Sequence, residues 1–200
     1  MCSVIKILKK IDKICPKIQL KKRYDIENIK IKYNGWNDCY NLKIDKPIFN
    51  KKNESELCKY YDKIENKLNW IQPLHLCNNY VKDMMNFGGN INGMKTSLLI
   101  GDSKLGALIE DNNLEIGFSH FKSNWYYPLH CHKTEELYFI LKGESKFGIE
   151  ENESLIFKNK KPNDIIYHKS YQPHAMIFQK SEVLALYIWY RKGKYFFINT

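Results

Sequence analysis

The stretch Tyr126-Tyr127-Pro128-Leu129-His130-Cys131-His132-Lys133-Thr134-Glu135-Glu136-Leu137-Tyr138 decides how this chain is read. In a β-strand, residues two apart share a face. His130 and His132 therefore point one way and Cys131 the other, and Glu136 and Tyr138 share a face in the same manner. A tight bend at Lys133-Thr134 would lay the second strand beside the first, bringing two imidazoles and a carboxylate together. A fourth group comes from far along the chain: His174, in Gln172-Pro173-His174-Ala175. Imidazole nitrogens plus one carboxylate suit a divalent first-row metal such as iron, manganese, zinc, nickel or cobalt. Such a set leaves positions open for substrate or water, whereas a structural zinc site is closed and usually rich in thiolates.

Outward from this stretch, the second half of the chain consists of short apolar runs: Thr96–Ile100, Gly106–Ile109, Leu114–Phe121, Glu136–Leu141, Lys146–Ile149, Ser154–Phe157, Asp164–Tyr167, Ala175–Phe178, Val183–Tyr190 and Tyr195–Ile198. Turn signals separate them, among them Gly101-Asp102, Asn112-Asn113, Lys142-Gly143 and Pro162-Asn163-Asp164. Evenly spaced short strands predict a sandwich or a barrel. The first half has a helical period instead. Val4, Ile7, Leu8, Ile11, Ile14 and Cys15 recur at helical spacing until Pro16 stops the run. Leu57, Tyr60, Tyr61, Ile64, Leu68 and Ile71 repeat the pattern, with Ser55 as the expected cap and Pro73 as the end. A third helix is expected from Asn79 to Phe87, and a loop from Tyr33 to Asn53.

The composition excludes little but directs the reading. The 200 residues are enough for one full core, or for one core with an appended subdomain, and the net charge is +10. The lysines are scattered, and Arg23 and Arg191 are the only arginines, so the charge forms no arginine-rich stripe; no nucleic-acid partner is expected. The six cysteines form no Cys-Xaa-Xaa-Cys pair and are expected to be reduced thiols. No run approaches the roughly 18 apolar residues of a membrane helix. Val4–Leu8 is too short for a signal peptide core. A soluble, cytoplasmic protein is expected, with a homodimer as the default assembly.

The spacing His130-Cys131-His132, three residues, Glu136, six residues, Gly143, then the Pro162-Asn163-Asp164 turn and Pro173-His174, resembles the two-part cupin signature, with Asn163 where glycine is usual. More narrowly, Tyr127 to Tyr138 resembles the cupin-type dimethylsulfoniopropionate (DMSP) lyases, which have Tyr-Pro-Xaa-His-Xaa-His followed by Glu-Glu and Tyr. Tyr171-Gln172-Pro173-His174-Ala175 and Val183 to Trp189 match as well, so the motifs cover Tyr126 to Arg191.

This resemblance implies a mainly β fold: a cupin double-stranded β-helix over residues 95–200, with an N-terminal α-helical region, 1–94, packed outside. It implies His130, His132, Glu136 and His174 as ligands of a divalent transition metal. In some members the tyrosine matching Tyr138 also contacts the metal and the first histidine does not. Tyr138 and Tyr127 match the tyrosines proposed as catalytic base or base partner. The small-molecule substrate would be DMSP, whose sulfonium is a soft cation that aromatic faces bind at ~0.5–2 kcal/mol each. Trp125, Tyr126, Tyr187 and Trp189 are the candidate faces. His75, His120 and His168 lack a partner at ligand spacing; His168, six residues before His174, is placed at most on a pocket rim. Another metal-dependent cupin enzyme, such as a dioxygenase or an isomerase, and a non-catalytic cupin that holds a small ligand stay open, because the fold hosts many chemistries. Tyr138, two residues after the ligand glutamate, favours the lyase.

Overall fold

The computed structural model describes residues 3–16, 19–25, 55–72, 89, 91–190 and 195–197. The expected helix at 79–87 and loop at 33–53 lie outside the described residues. Among the described residues there are eleven strands: β1 Met94–Gly101, β2 Ile109–Glu110, β3 Leu114–Phe121, β4 Trp125–His132, β5 Glu135–Lys142, β6 Ser145–Glu151, β7 Ser154–Lys160, β8 Ile165–His168, β9 His174–Phe178, β10 Val183–Tyr190 and β11 Tyr195–Phe197. They form two sheets, in the orders β2-β1-β3-β10-β5-β8 and β11-β4-β9-β6-β7. Sequence neighbours β4 and β5 sit in different sheets, as do β8 and β9. This crossing between sheets makes a double-stranded β-helix, the fold expected from the sequence.

Strand parity assigns the two faces of the first sheet. Leu114, Ile116 and Phe118 of β3, Leu137, Phe139 and Leu141 of β5, and Leu184, Leu186 and Ile188 of β10 face outward into one apolar cluster. The alternate residues, among them Phe121, Tyr138, Ile140, Ala185, Tyr187 and Trp189, face the barrel interior in a second cluster. Both faces are buried, so β10 reads as a near-continuous apolar run rather than an alternating one.

The outer face needs a cover, and the N-terminal helix supplies it. Helix α1, Ser3–Ile14, buries Val4, Ile7, Leu8 and Ile11 in the outward cluster, one stripe at helical spacing. Two short helices, α2 Leu20–Arg23 and α3 Cys58–Tyr61, pack beside it. Arg23 clamps this layer to the β2–β3 turn: Nε donates to Asp111 Oδ2 at 2.8 Å and Nη2 to Oδ1 at 2.7 Å, while the Tyr24 hydroxyl donates to Oδ2. Lys142 Nζ of β5 meets Asp62 Oδ1, just past α3, at 3.0 Å.

One helix expectation is corrected. Ser55 to Ile71 is not a continuous helix: only Cys58–Tyr61 is α-helical, with a 3-10 turn at Glu65–Lys67. The apolar spacing still buries Leu57, Tyr61, Ile64 and Leu68. At Leu68, however, the backbone turns extended, and Ile71 bridges Thr96 of β1 through two 2.8 Å backbone hydrogen bonds. Joining a sheet edge overrides the helical period. Ser55 is no cap either: its N–H donates to Leu141 O, and Leu57 holds the cap position without a side-chain bond. Within the described residues no helix is long and apolar enough to cross a membrane.

Candidate metal centre

The two strands of the Tyr126–Tyr138 stretch place their functional groups in the barrel interior. The bend at Lys133-Thr134 brings His132 within 3.6 Å (Nε2 to Oε2) of Glu136. His174 opens β9, paired with His130 of β4, and its Nε2 lies 3.4 Å from Glu136 Oε2. Ligand atoms of His130, His132 and His174 all lie within 4.8 Å of one another, as do those of Glu136, His168 and His174. All five residues are buried.

Local backbone sets the imidazole tautomers. His130 Nδ1 donates to Pro128 O at 2.7 Å, His132 Nδ1 to Thr134 O at 2.7 Å and His174 Nδ1 to Gln172 O at 2.8 Å. Each bond spans two residues and directs Nε2 into the cluster, as the nitrogen that could bind a metal. The approach of His174 Nε2 to Glu136 Oε2 lacks hydrogen-bond geometry, and that nitrogen is buried. Two donors sharing a first-row cation at about 2.0–2.2 Å each stand no more than about 4.4 Å apart; the 3.4 and 3.6 Å spacings meet that limit. Three imidazoles and one carboxylate, with no thiolate among them, fit a divalent metal held for chemistry.

Electrostatics matches this arrangement. Burial pushes the Glu136 carboxyl up, but the imidazoles of His132, His168 and His174 outweigh it and hold the carboxyl well below its usual range. Burial, with His174 and His132 beside it, pushes His130 well down. Burial also lowers His132, yet Glu136 outweighs it and the net shift is upward.

His168 belongs to the centre, which sequence spacing did not reveal. Strand β8 pairs with β5 in a register that sets His168 opposite Glu136. Its Nδ1 lies 3.0 Å from Glu136 Oε2, and its ring stacks on His174 with centroids 3.8 Å apart. Burial and the nearby His174 push its pKa down to about 4, against a smaller pull from Glu136. His120, by contrast, faces away from the interior and pairs with Glu182 at 3.2 Å; His75 lies outside the described residues.

The tyrosines and the aromatic candidates divide. Tyr127 stacks on His130 at 4.2 Å, and Tyr138 stands edge-on to His168 at 6.1 Å; both are buried. Trp189 is 4.9 Å from His132 between ring centroids, and its indole N–H donates to Glu136 Oε1 at 2.5 Å. Trp125 stacks within the cluster of Phe121, Tyr127 and Phe178. Tyr126, partly buried, alternates to the other face of β4 from Trp125 and Tyr127. The Tyr187 hydroxyl donates to Glu115 Oε1 at 2.7 Å and is 3.2 Å from Thr96 Oγ1. Burial and the Glu115 charge raise its pKa well above that of a free phenol. Glu115 is a buried interior carboxylate set inside an apolar run, where no sequence pattern marks it.

The sequence profile of the dimethylsulfoniopropionate lyases matches residues 42–185. The chain belongs to the DMSP lyase family. It is similar to the dimethylsulfoniopropionate lyase DddQ of Ruegeria pomeroyi, 33% identical over 91 residues. That match covers 46% of this chain and 42% of DddQ, so it spans less than half of the curated relative. A crystal structure of DMSP lyase DddQ from Ruegeria pomeroyi superposes with a TM-score of 0.62 at 18% identity, covering 98% of this chain and 97% of that one. A structure of the DMSP lyases RdDddP and RnDddQII gives 0.64 at 15% identity, with 98% of each chain covered. At these identities the superpositions speak for the fold of the DMSP lyase family.

Proposed function

We propose that this protein is a metal-dependent DMSP lyase, cleaving DMSP to dimethyl sulfide and acrylate by β-elimination. The observation that carries the reading is the convergence of His130, His132, His174 and Glu136, with Tyr127 stacked on one ligand ring, in a member of this family. In the reaction a base removes a proton from the carbon beside the substrate carboxylate. The C–H electron pair becomes the new C=C bond, the C–S bond breaks, and dimethyl sulfide leaves with the sulfur electron pair.

The proton is weakly acidic because the carboxylate is already negative. A divalent cation bound by the three imidazoles and Glu136 would supply Lewis-acid stabilisation of the developing charge. Tyr138 and Tyr127 are the candidate base and its partner. A phenol has a reference pKa of about 10, and positive charge nearby favours the phenolate. The buried aromatic walls, Trp125, Tyr187 and Trp189, exclude water and offer ring faces to the sulfonium. Iron, manganese, zinc, nickel and cobalt all suit the donor set.

The test is headspace detection of dimethyl sulfide from purified protein supplied with DMSP and each of these metals in turn. Metal-dependent release of dimethyl sulfide with equimolar acrylate supports the reading. Metal binding without either product would move the protein to another cupin chemistry.

A further inference from the structure

We propose that His168 is a positioning residue of the metal centre, its Nδ1–H holding Glu136 Oε2 while the Trp189 indole holds Oε1, so that the carboxylate is fixed as a ligand. The inference rests on the metal-binding reading above and adds a residue outside the four-ligand set.

The ligands are oriented in two different ways. His130, His132 and His174 are each held by a backbone carbonyl two residues away. Glu136 is held by two side chains, His168 at 3.0 Å and Trp189 at 2.5 Å, one on each carboxylate oxygen. A carboxylate only accepts, so the bonding hydrogen of His168 sits on Nδ1. Cross-strand pairing places His168 directly opposite Glu136. The His168 ring is in turn fixed by stacking on His174 at 3.8 Å and 22°, with Tyr138 and Phe147 at 6.1 and 6.5 Å.

A merely space-filling role does not account for the imidazole. The residue is fully buried, and its Nε2 makes no hydrogen bond. Burying a polar nitrogen without a partner is unfavourable. An apolar ring would fill the same space among Tyr138, Phe147 and His174 without that penalty. What imidazole adds is the N–H on Glu136. Outer partners of this kind set ligand orientation and typically change metal affinity by about 10–100-fold when removed.

The experiment is a Co2+ titration of the metal-free protein, followed through the visible d–d absorption, for the wild type, His168→Phe and His168→Asn. Phe keeps the ring and removes the donor; the short Asn amide places a donor near the position of Nδ1. The expected result is Co2+ binding weakened about 10–100-fold in His168→Phe, recovered to within about threefold of wild type in His168→Asn, with the same band positions and intensities in all three. Wild-type affinity in His168→Phe would overturn the proposal, as would equal losses in the two variants. Altered bands in the variants would make His168 a ligand rather than a positioning residue, and overturn it too. Should His168→Phe melt early without metal, His168→Gln takes its place with the same expected loss, since its amide reaches toward Nε2 instead. A wild type that fails to bind Co2+ would overturn the metal reading itself and this proposal with it.

Discussion

The rings of Tyr127 and His130 stack inside the barrel, 4.2 Å apart and 25° from parallel, although an odd spacing of three residues separates them. In a regular strand that spacing would put them on opposite faces. Tyr127 pairs with Met176 and His130 with His174, so β4 takes three steps where β9 takes two. This is a one-residue bulge, and it contains Pro128, which has no N–H to give to the ladder. The bulge turns Tyr127 onto the ligand side.

Replacing either phenol by phenylalanine should therefore separate chemistry from metal binding. In Tyr138→Phe and Tyr127→Phe, metal content and melting temperature should stay near wild type. Elimination should fall by about 10²–10⁴-fold in the variant that removes the base, and by less in the one that removes its partner. Dimethyl sulfide release under saturating metal measures both. Near-full activity in the two variants would mean that neither oxygen takes the proton.

Glu136→Gln keeps the shape of the side chain and removes its charge. It also places an amide among donors that now face an acceptor. Affinity for Mn2+ measured calorimetrically should fall by at least about tenfold, the scale that metal-site partners command. An unchanged binding isotherm would remove Glu136 from the ligand set.

Asp111 links the helical layer to the barrel, and its contribution should depend on pH. Burial pushes its carboxyl up, but the Arg23 and Tyr24 hydrogen bonds outweigh this and hold it at about 2, against about 3.9 in an unfolded chain. The folded value is the lower one, so the stabilisation is present above about pH 4 and disappears as pH falls toward 2. The melting temperature of the wild type should exceed that of Asp111→Asn at neutral pH, and the gap should close in that acid window. A gap constant from pH 6 to pH 2 would show that the charge contributes nothing.

Leu8 is fully buried between α1 and the outer face of the first sheet. Leu8→Ala should cost about 2–5 kcal/mol in urea unfolding while leaving metal affinity close to wild type, because the outer cluster and the ligand set occupy opposite faces of β5. A matching loss of metal affinity would mean that the two faces are coupled.

Period-two alternation and one bend were enough to place His130, His132 and Glu136 on a common interior from the sequence, and Pro173-His174 supplied the fourth group. His168 was not legible, because its place depends on a long-range register between β5 and β8, and the expected strand ended one residue too early, at Tyr167. Glu115 was hidden for another reason. Helices cover the far side of β3, so all eight of its residues are buried and no polar alternation marks the inward face. Tyr127 required a bulge that Pro128 hinted at without specifying its direction. The region from Ser55 to Ile71 kept its buried positions, Tyr60 excepted, but lost its helix where Ile71 joined β1.

The three imidazoles take their orientation from the carbonyl oxygens of Pro128, Thr134 and Gln172. Every amino acid carries a carbonyl, so the residues that aim these rings can be exchanged widely as long as the backbone path is kept. Glu136 has no such tolerance, since it depends on the side chains of His168 and Trp189. The centre is thus unevenly exposed to mutation: sequence drift around the histidines is cheap, and a single change at position 168 or 189 strikes the carboxylate directly.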